Sequence, residues 1–506
     1  MSLVTEQFTR NPFSEYTAER EPDILEYAVR PPYFIKSFEA AYACKSMFLF
    51  GNRGSGKSAT RISVYEQIWK NKKEGKMVPL CVNLTDYVYL FKGGHTKVSA
   101  AKLIDEIVFI SLEKLLCWLV NLEDAKRELY LDGLSDVEKS KLNALINFFY
   151  LSRDDMSREL SASRTLETLD QAWKNLGPYW IQKKWGTIAS ALSGIIAHYS
   201  KKNDVNIEAK DLKALIYSDA TDKTASTYVL SRLVEVVRSF EFTGITVMVD
   251  KLDETEFTTT SSEKCANILW PLISDVRLME YDGLGVNLFL WDRIRVHYTG
   301  KDYPVRFDKL ANYTIQWNPN QLKEMLNRRV EYFSGKRLSG IAEIFDRTVN
   351  HTVELDKIIK IGIASPREII RIFDQIIAHH DMEEDRKAGD LISEKNIKNG
   401  IDSYCNSVVR TIYEHNHILH LAKIGKPIFV NKDLQDSLKI NANSARSKIQ
   451  KWENAGMVAA KSTRLVDGDQ GGKPMNEYHI IDDRLAHVIS NRMVDIPLDL
   501  SVAEED

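Results

Sequence analysis

The stretch Gly51-Asn52-Arg53-Gly54-Ser55-Gly56-Lys57-Ser58 combines residue types that phosphate chemistry requires together, in the spacing GxxxxGK[ST]. Its glycines let successive backbone N–H groups curl around phosphate oxygens without Cβ clashes. In that arrangement Lys57 reaches the β- and γ-phosphates of a nucleotide and Ser58 ligates Mg²⁺. Ala59 then continues a helix whose positive end faces the anion. Ordinary residue frequencies give such a match in roughly one chain of this length in fifty. Here it also lies between an apolar run, KSMFLF over 45–50, and a helical stretch over 58–72. A second half of the site should be an acid at the end of another buried strand. The run ITVMV over 245–249 supplies it, ending in Asp250 and followed by Lys251-Leu252-Asp253-Glu254. Asp250 would hold Mg²⁺ through water, and one of Asp253 or Glu254 would polarise an attacking water.

These residues need a frame, and the spacing of apolar runs predicts one. Short apolar strands at 77–84 (MVPLCVNL), 245–249, 286–291 (VNLFLW) and 313–317 (YTIQW) join KSMFLF, separated by helical text. Strands alternating with helices indicate a parallel α/β sheet. From about 91 to 242 the pattern is helical, with leucines at 112, 115, 116 and 119 on one face. That segment reads as a large helical insertion whose Trp and Leu stripes are core. After Asn318 the chain is helical again to about Ala422.

The pair GNRGSGKS and VMVDKLDE resembles the AAA+ and STAND branches of P-loop ATPases, whose acidic strand often reads hhhhDGLDE or hhhhDELDE. Lys251 stands where the second pattern has glutamate, so the general base lies between Glu254 and Asp253. The resemblance implies bound ATP or ADP with Mg²⁺ and hydrolysis of ATP. It also implies a polar sensor of the γ-phosphate on NLFLWDR over 287–293, either Asp292 or Arg293. Pro304-Val305-Arg306-Phe307 is similar to the arginine-finger loop of origin-recognition ATPases, so Arg306 would serve a neighbouring subunit of a nucleotide-dependent homo-oligomer. The phrase IASPREIIR over 363–371 looks like a lid-domain helix. There Arg367 would contact ATP in cis and Arg371 would be structural. Asn11-Pro12-Phe13, Leu25-Glu26-Tyr27 and Pro31-Pro32-Tyr33-Phe34 resemble the leader of bacterial ATPases related to the origin-recognition group, a leader that commonly walls the adenine.

The C-terminal text resembles a winged helix. Helix 411–422, strand 427–430, helix 432–438 capped by Asn431, a turn over 441–444 and helix 445–454 precede two strands, 457–465 and 475–480. Gly456 closes the second helix, and Ala445, Ile449 and Trp452 share its apolar face. Read as a reader of double-stranded DNA, this domain turns Ser444, Arg446, Ser447, Gln450 and Lys451 to the major groove and Lys448 to phosphate. Lys461, Arg464 and Lys473 would be the wing contacts. The stretch from Cys405 to Ser490 carries 12 Lys+Arg against 9 Asp+Glu, basic against an acidic remainder. In the rival reading it packs on protein, as winged helices of STAND ATPases do, and recruits an effector or a nuclease encoded elsewhere. Such bacterial ATPases are often found in anti-phage defence and mobile-element settings.

The expected organisation is therefore 1–90 leader and first half of the ATPase core, 91–242 helical insertion, 243–318 second half of the core, 319–404 helical lid, 405–490 winged helix and 491–506 tail. The 506 residues exceed one hydrophobic core, and their 44% apolar and 27% charged content excludes a disordered or fibrous chain. The net charge of −3 leaves no global basic field, so any attraction to nucleic acid must be local. Five scattered cysteines without a CxxC pair argue against a disulfide framework and fit a reducing cytoplasm. The longest apolar stretch, 186–197, is too short for a membrane span of about twenty residues.

Overall fold

The computed structural model describes residues 6–21, 24–91, 98–153, 222–259, 261–385, 387, 389–464 and 475–496. Contacts divide the chain into two compact units, residues 30–316 and residues 1–29 with 317–506. Each is described by itself.

The first unit is built on a five-stranded, wholly parallel sheet of β1 (Met47–Gly51), β2 (Val78–Leu84), β3 (Phe242–Val249), β4 (Leu284–Trp291) and β5 (Ala311–Thr314). The order across the sheet is β2-β3-β4-β1-β5. β1 to β4 are almost entirely buried, which explains their nearly uninterrupted apolar runs. Registers Phe50↔Leu290 and Val249↔Leu288 bring the carboxyl ends of β1, β3 and β4 to one edge, where ligands of open α/β sheets bind. β3 begins three residues earlier than the apolar run suggests. Gly244 reads as a break, yet a Cβ there would sit 2.3 Å from the Gly283 carbonyl, so glycine permits the close approach that continues the strand. β5 ends at Thr314, where its pairing with Phe50 of β1 ends, short of the expected Trp317.

The helices of this unit are α1 (Phe34–Tyr42), α2 (Lys57–Lys73), α3 (Ala100–Asn121), α4 (Asp124–Gly133), α5 (Asp136–Leu145), α6 (Asp222–Arg238) and α7 (Ser262–Ile273). Ser99 caps α3 through its Oγ, 3.2 Å from the Lys102 amide. α3 packs on β2 and α6 on β3, so both ends of the expected insertion form a layer of the sheet. Leu112, Leu115, Leu116 and Leu119 are buried there, as the stripe predicts.

The second unit holds α8 (Pro319–Phe333), α9 (His351–Ile361), α10 (Pro366–Asp381) and α11 (Glu394–Ile412). It ends in α12 (His415–Ile424), β6 (Ile428–Val430), α13 (Asn431–Leu438), α14 (Ala442–Asn454), β7 (Val458–Arg464), β8 (Met475–Ile480) and α15 (Asp483–Ser490). The sheet order β6-β8-β7, antiparallel throughout, against α12 to α14 is winged-helix topology. One apolar cluster runs from Phe8 through the long helices to Ile489, so the expected lid and winged helix share a core.

Three expectations are corrected here. The leader, grouped by sequence with the sheet, belongs to the second unit: Phe13 stacks on Phe373 at 4.9 Å and Arg329 donates to the Pro12 carbonyl at 2.8 Å. The helix expected over 411–422 breaks at Tyr413, whose hydroxyl donates to Asp482 at 2.9 Å. Asn431 begins α13 without capping it, the Val430 amide donating to Asp433 instead. Among the described residues no helix is long and apolar enough to cross a membrane, and all five cysteines are free and buried.

Candidate functional site

β1 delivers Gly51 to the sheet edge, and the chain turns through Gly54 (φ +79°) and Gly56 (φ +95°) into α2. Both angles favour glycine, and a Cβ on Gly51 would meet the Ser55 hydroxyl at 2.4 Å. The loop is therefore closed as tightly as a backbone cradle for phosphate requires. Lys57, buried at the start of α2, donates to the carbonyls of Gly51 at 2.8 Å and Asn52 at 3.0 Å. Its ammonium thus lies across the mouth of the loop. Ser58 and Ala59 are half-buried beside it. First-turn N–H groups of a helix point away from its start, toward the loop.

Asp250 ends β3 at 2% exposure, its amide continuing the ladder to the Leu84 carbonyl. One carboxylate oxygen accepts from Arg61 Nε at 3.0 Å and the other from the Lys251 amide at 2.9 Å. Arg61, one turn past Lys57 on the buried face of α2, also donates to Asn83 at 3.1 Å. The Tyr87 hydroxyl donates to the Asp250 carbonyl at 2.7 Å. Asp253 is held differently. Arg53 of the loop donates to its carboxylate at 2.9 Å and its carbonyl at 3.0 Å, and reaches the Thr259 carbonyl at 3.0 Å. The same guanidinium lies 4.7 Å over the Trp291 ring, with Arg293 at 5.2 Å. Glu254, next in the chain, is exposed. Loop and acidic strand are thus brought together as expected, joined by two arginine–carboxylate pairs.

The remaining sequence-derived residues fall in varied places. Asp292, half-buried, opens a short 3₁₀ turn at the end of β4. Arg306 forms an exposed bidentate pair with Asp308 at 2.9 and 2.8 Å, and that pairing holds the Asp308 carboxyl down at about 2. Arg367 lies in the first turn of α10, Nε donating to the Tyr16 carbonyl at 3.1 Å, while Arg371 pairs with Glu368.

On α14, Ala445, Ile449 and Trp452 are buried while Arg446, Ser447, Gln450 and Lys451 are exposed, one polar face along one helix. The helix starts three residues earlier than expected because the Asn441 side chain accepts from the amides of Asn443 and Ser444. Ser444 is therefore inside the first turn, half-buried. Lys448 is half-buried near His420, on whose imidazole burial and then the Lys448 charge act to push it down to about 4. Lys461 is exposed on β7, Arg464 ends that strand, and Lys473 lies outside the described residues.

No protein-family model matches the chain, and no curated protein matches its sequence. Similar solved structures include the Aeropyrum pernix ORC1 protein in complex with DNA, at 10% identity and TM-score 0.36, covering 95% of this chain and 96% of that one. The ORC2 protein of the same organism in its ADP form is 11% identical, TM-score 0.39, over 96% of this chain and 98% of that one. Its ADPNP–ADP complexes give 10% and 0.39, over 94% and 98%. The residues of this chain carry the functional reading.

Two of those residues escape a motif search. Arg61 and Arg295 flank the loop, Arg295 donating to Thr314 at 3.0 Å and Asn312 at 3.2 Å beneath Phe50. Only Arg61 leaves a sequence signal. It is four residues beyond Lys57, so it shares that lysine's buried helix face, where a charge demands a partner.

Proposed function

We propose that the chain binds ATP with Mg²⁺ at the 51–59 loop, hydrolyses it, and couples the nucleotide state to duplex DNA held on the winged helix. The observation that carries the reading is Lys57, buried at the start of α2 with its ammonium across the loop mouth, beside a strand that ends in the buried Asp250. In this scheme the loop amides receive phosphate oxygens, and Lys57 exchanges the Gly51 and Asn52 carbonyls for the β- and γ-phosphates. Ser58 and Asp250 would hold Mg²⁺, which neutralises charge developing on the phosphates. The donor set fits an ion that keeps several waters and phosphate oxygens: one hydroxyl, and one carboxylate with lone pairs beyond its two printed bonds. Arg53 engages Asp253, so Glu254, exposed one residue on, is the base that orients water. Asp292 or Arg293 would sense the γ-phosphate and Arg367 would report it to α10.

ATP turnover of the purified protein, with and without duplex DNA at two salt concentrations, tests the proposal, with Lys57→Ala as blank. Stimulation that fades at high salt is the expected result. Turnover equal to the Lys57→Ala blank would sink the ATPase reading. Turnover indifferent to DNA would assign α14 to a protein partner.

A further inference from the structure

The nucleotide-binding reading treats Asp250 as an outer ligand of Mg²⁺, yet Asp250 already has a cation. Arg61 and Asp250 are both more than nine-tenths buried and paired at 3.0 Å, and the second oxygen of Asp250 is turned onto the Lys251 amide. The neighbouring carboxylate is engaged in the same manner, Asp253 by Arg53. Around the loop, Arg53, Lys57, Arg61 and Lys251 outnumber Asp250, Asp253 and Glu254, and the start of α2 adds its partial positive charge. A divalent cation meets repulsion there, whereas a polyphosphate meets attraction. Coulomb interaction between groups this deeply buried is screened little by salt.

We propose that Arg61 is a positioning residue that makes the site take nucleotide before metal. It neutralises Asp250 in the nucleotide-free protein, so a divalent ion enters only with the triphosphate, whose oxygens supply the charge that Arg61 has cancelled. The pair also sets the carboxylate in place, because Arg61 is itself braced by Asn83 at 3.1 Å. No bond is made or broken in this step; what changes is which cation faces Asp250. The inference rests on the nucleotide-binding reading, and its test separates the two.

Mn²⁺ is the probe, followed by the electron paramagnetic resonance of the free ion in the absence of nucleotide. Wild-type protein is expected to take up none in the range where Arg61→Gln binds one ion, the variant's affinity rising at least about tenfold. Arg61→Lys, which keeps the charge, should behave as wild type, and Arg61→Gln with Asp250→Asn should lose the gain. A merely structural role for Arg61 would lower stability without moving Mn²⁺ affinity. In parallel, a fluorescent ATP analogue is titrated in EDTA. Wild-type protein is expected to bind it and to bind Mn²⁺ afterwards, so the order is tested even where Arg61→Gln does not fold. Mn²⁺ bound as tightly by nucleotide-free wild-type protein as by the nucleotide-loaded form would overturn the inference. So would an Arg61→Gln affinity equal to wild type, or analogue binding that requires metal; each leaves the ATP reading standing. Absence of analogue binding with or without metal overturns both.

Discussion

Lys251 follows Asp250 with φ +62° and ψ +20°, a left-handed conformation that costs an L-residue about 1–2 kcal/mol. The backbone must take it, because the Lys251 amide turns back onto the Asp250 carboxylate. Glycine, which the resembling sequences often carry there, meets the same geometry without Cβ strain. Lys251→Gly is therefore expected to raise stability by about 0.5–1 kcal/mol after its larger unfolded-state entropy, and Lys251→Val to lower it. Thermal denaturation checks both, and a fall in Tm for the glycine variant would contradict the assignment. Lys114 on α3 is a second residue under tension. It is 3% exposed, donates to the Tyr65 hydroxyl and lies about 5 Å from the rings of Tyr65 and Trp69. Burial pushes its ammonium down from 10.5 to about 7. The folded state thus prefers the neutral amine. Stability is fullest above the unfolded value, falls as pH drops from about 10.5 toward 7, and is flat below. Lys114→Met should flatten that slope and stabilise the protein by roughly 1–3 kcal/mol at pH 7. Urea unfolding at pH 7 and 9.5 reads the difference; an unchanged slope would remove Lys114 as its source.

Elements were legible where their own residues decide them. β1 to β4 are short, uncharged and buried on both faces, so apolar runs alone locate them. The end of α14 is likewise local: Gly456 at φ +68° accepts the left-handed position, its amide bonding the Glu453 carbonyl and the Met457 amide the Trp452 carbonyl. The start of the same helix was misplaced because Asn441 reads equally as a turn or a cap, and only the side chain's two hydrogen bonds choose. Arg61 and Asp250 lie 189 residues apart, so their pairing has no local trace beyond a charge on a buried face. The phosphate loop was readable as a motif; what restrains its carboxylates was not. The face of α14 supports a prediction of its own. Arg446 and Lys451 are exposed one helical turn or so apart, beside Gln450. If both contact phosphates, Arg446→Ala with Lys451→Ala should reduce the slope of log affinity against log salt by about 1.8, each contact releasing about 0.9 counterion. Basal ATP turnover should stay unchanged, since neither residue lies at the loop. Equal slopes for variant and wild type would take α14 off the DNA.

At the scale of the molecule, the chain begins in one unit, builds the other, and returns. Phe8, Phe13, Tyr27 and Val29 are buried in the core that α8 to α15 make, while everything from Arg30 to Gln316 folds around its own sheet. The leader is anchored by more than apolar contact. Arg329 and Glu21 form a buried pair at 2.6 Å, Arg329 also holds the Pro12 carbonyl, and Asn11 donates to Asp374 at 3.0 Å. Removing one partner of a buried pair costs roughly 3–5 kcal/mol, and each large apolar side chain withdrawn roughly 1.5–3 kcal/mol. Deleting residues 1–29 should therefore destabilise the 317–496 region severely and spare the sheet, although the deleted segment directly precedes the sheet in sequence. Calorimetry of the full chain is expected to show two transitions, of which the deletion lowers or abolishes one. Limited proteolysis of the deleted chain should then cut first beyond residue 317 and leave a resistant fragment near 30–316. Supplying 1–29 fused after residue 496 tests the same contacts by a different connection. Recovery of the lost transition would show that packing, and not position in the chain, places the leader; a deletion that leaves both transitions where they were would assign it no structural part in the second unit.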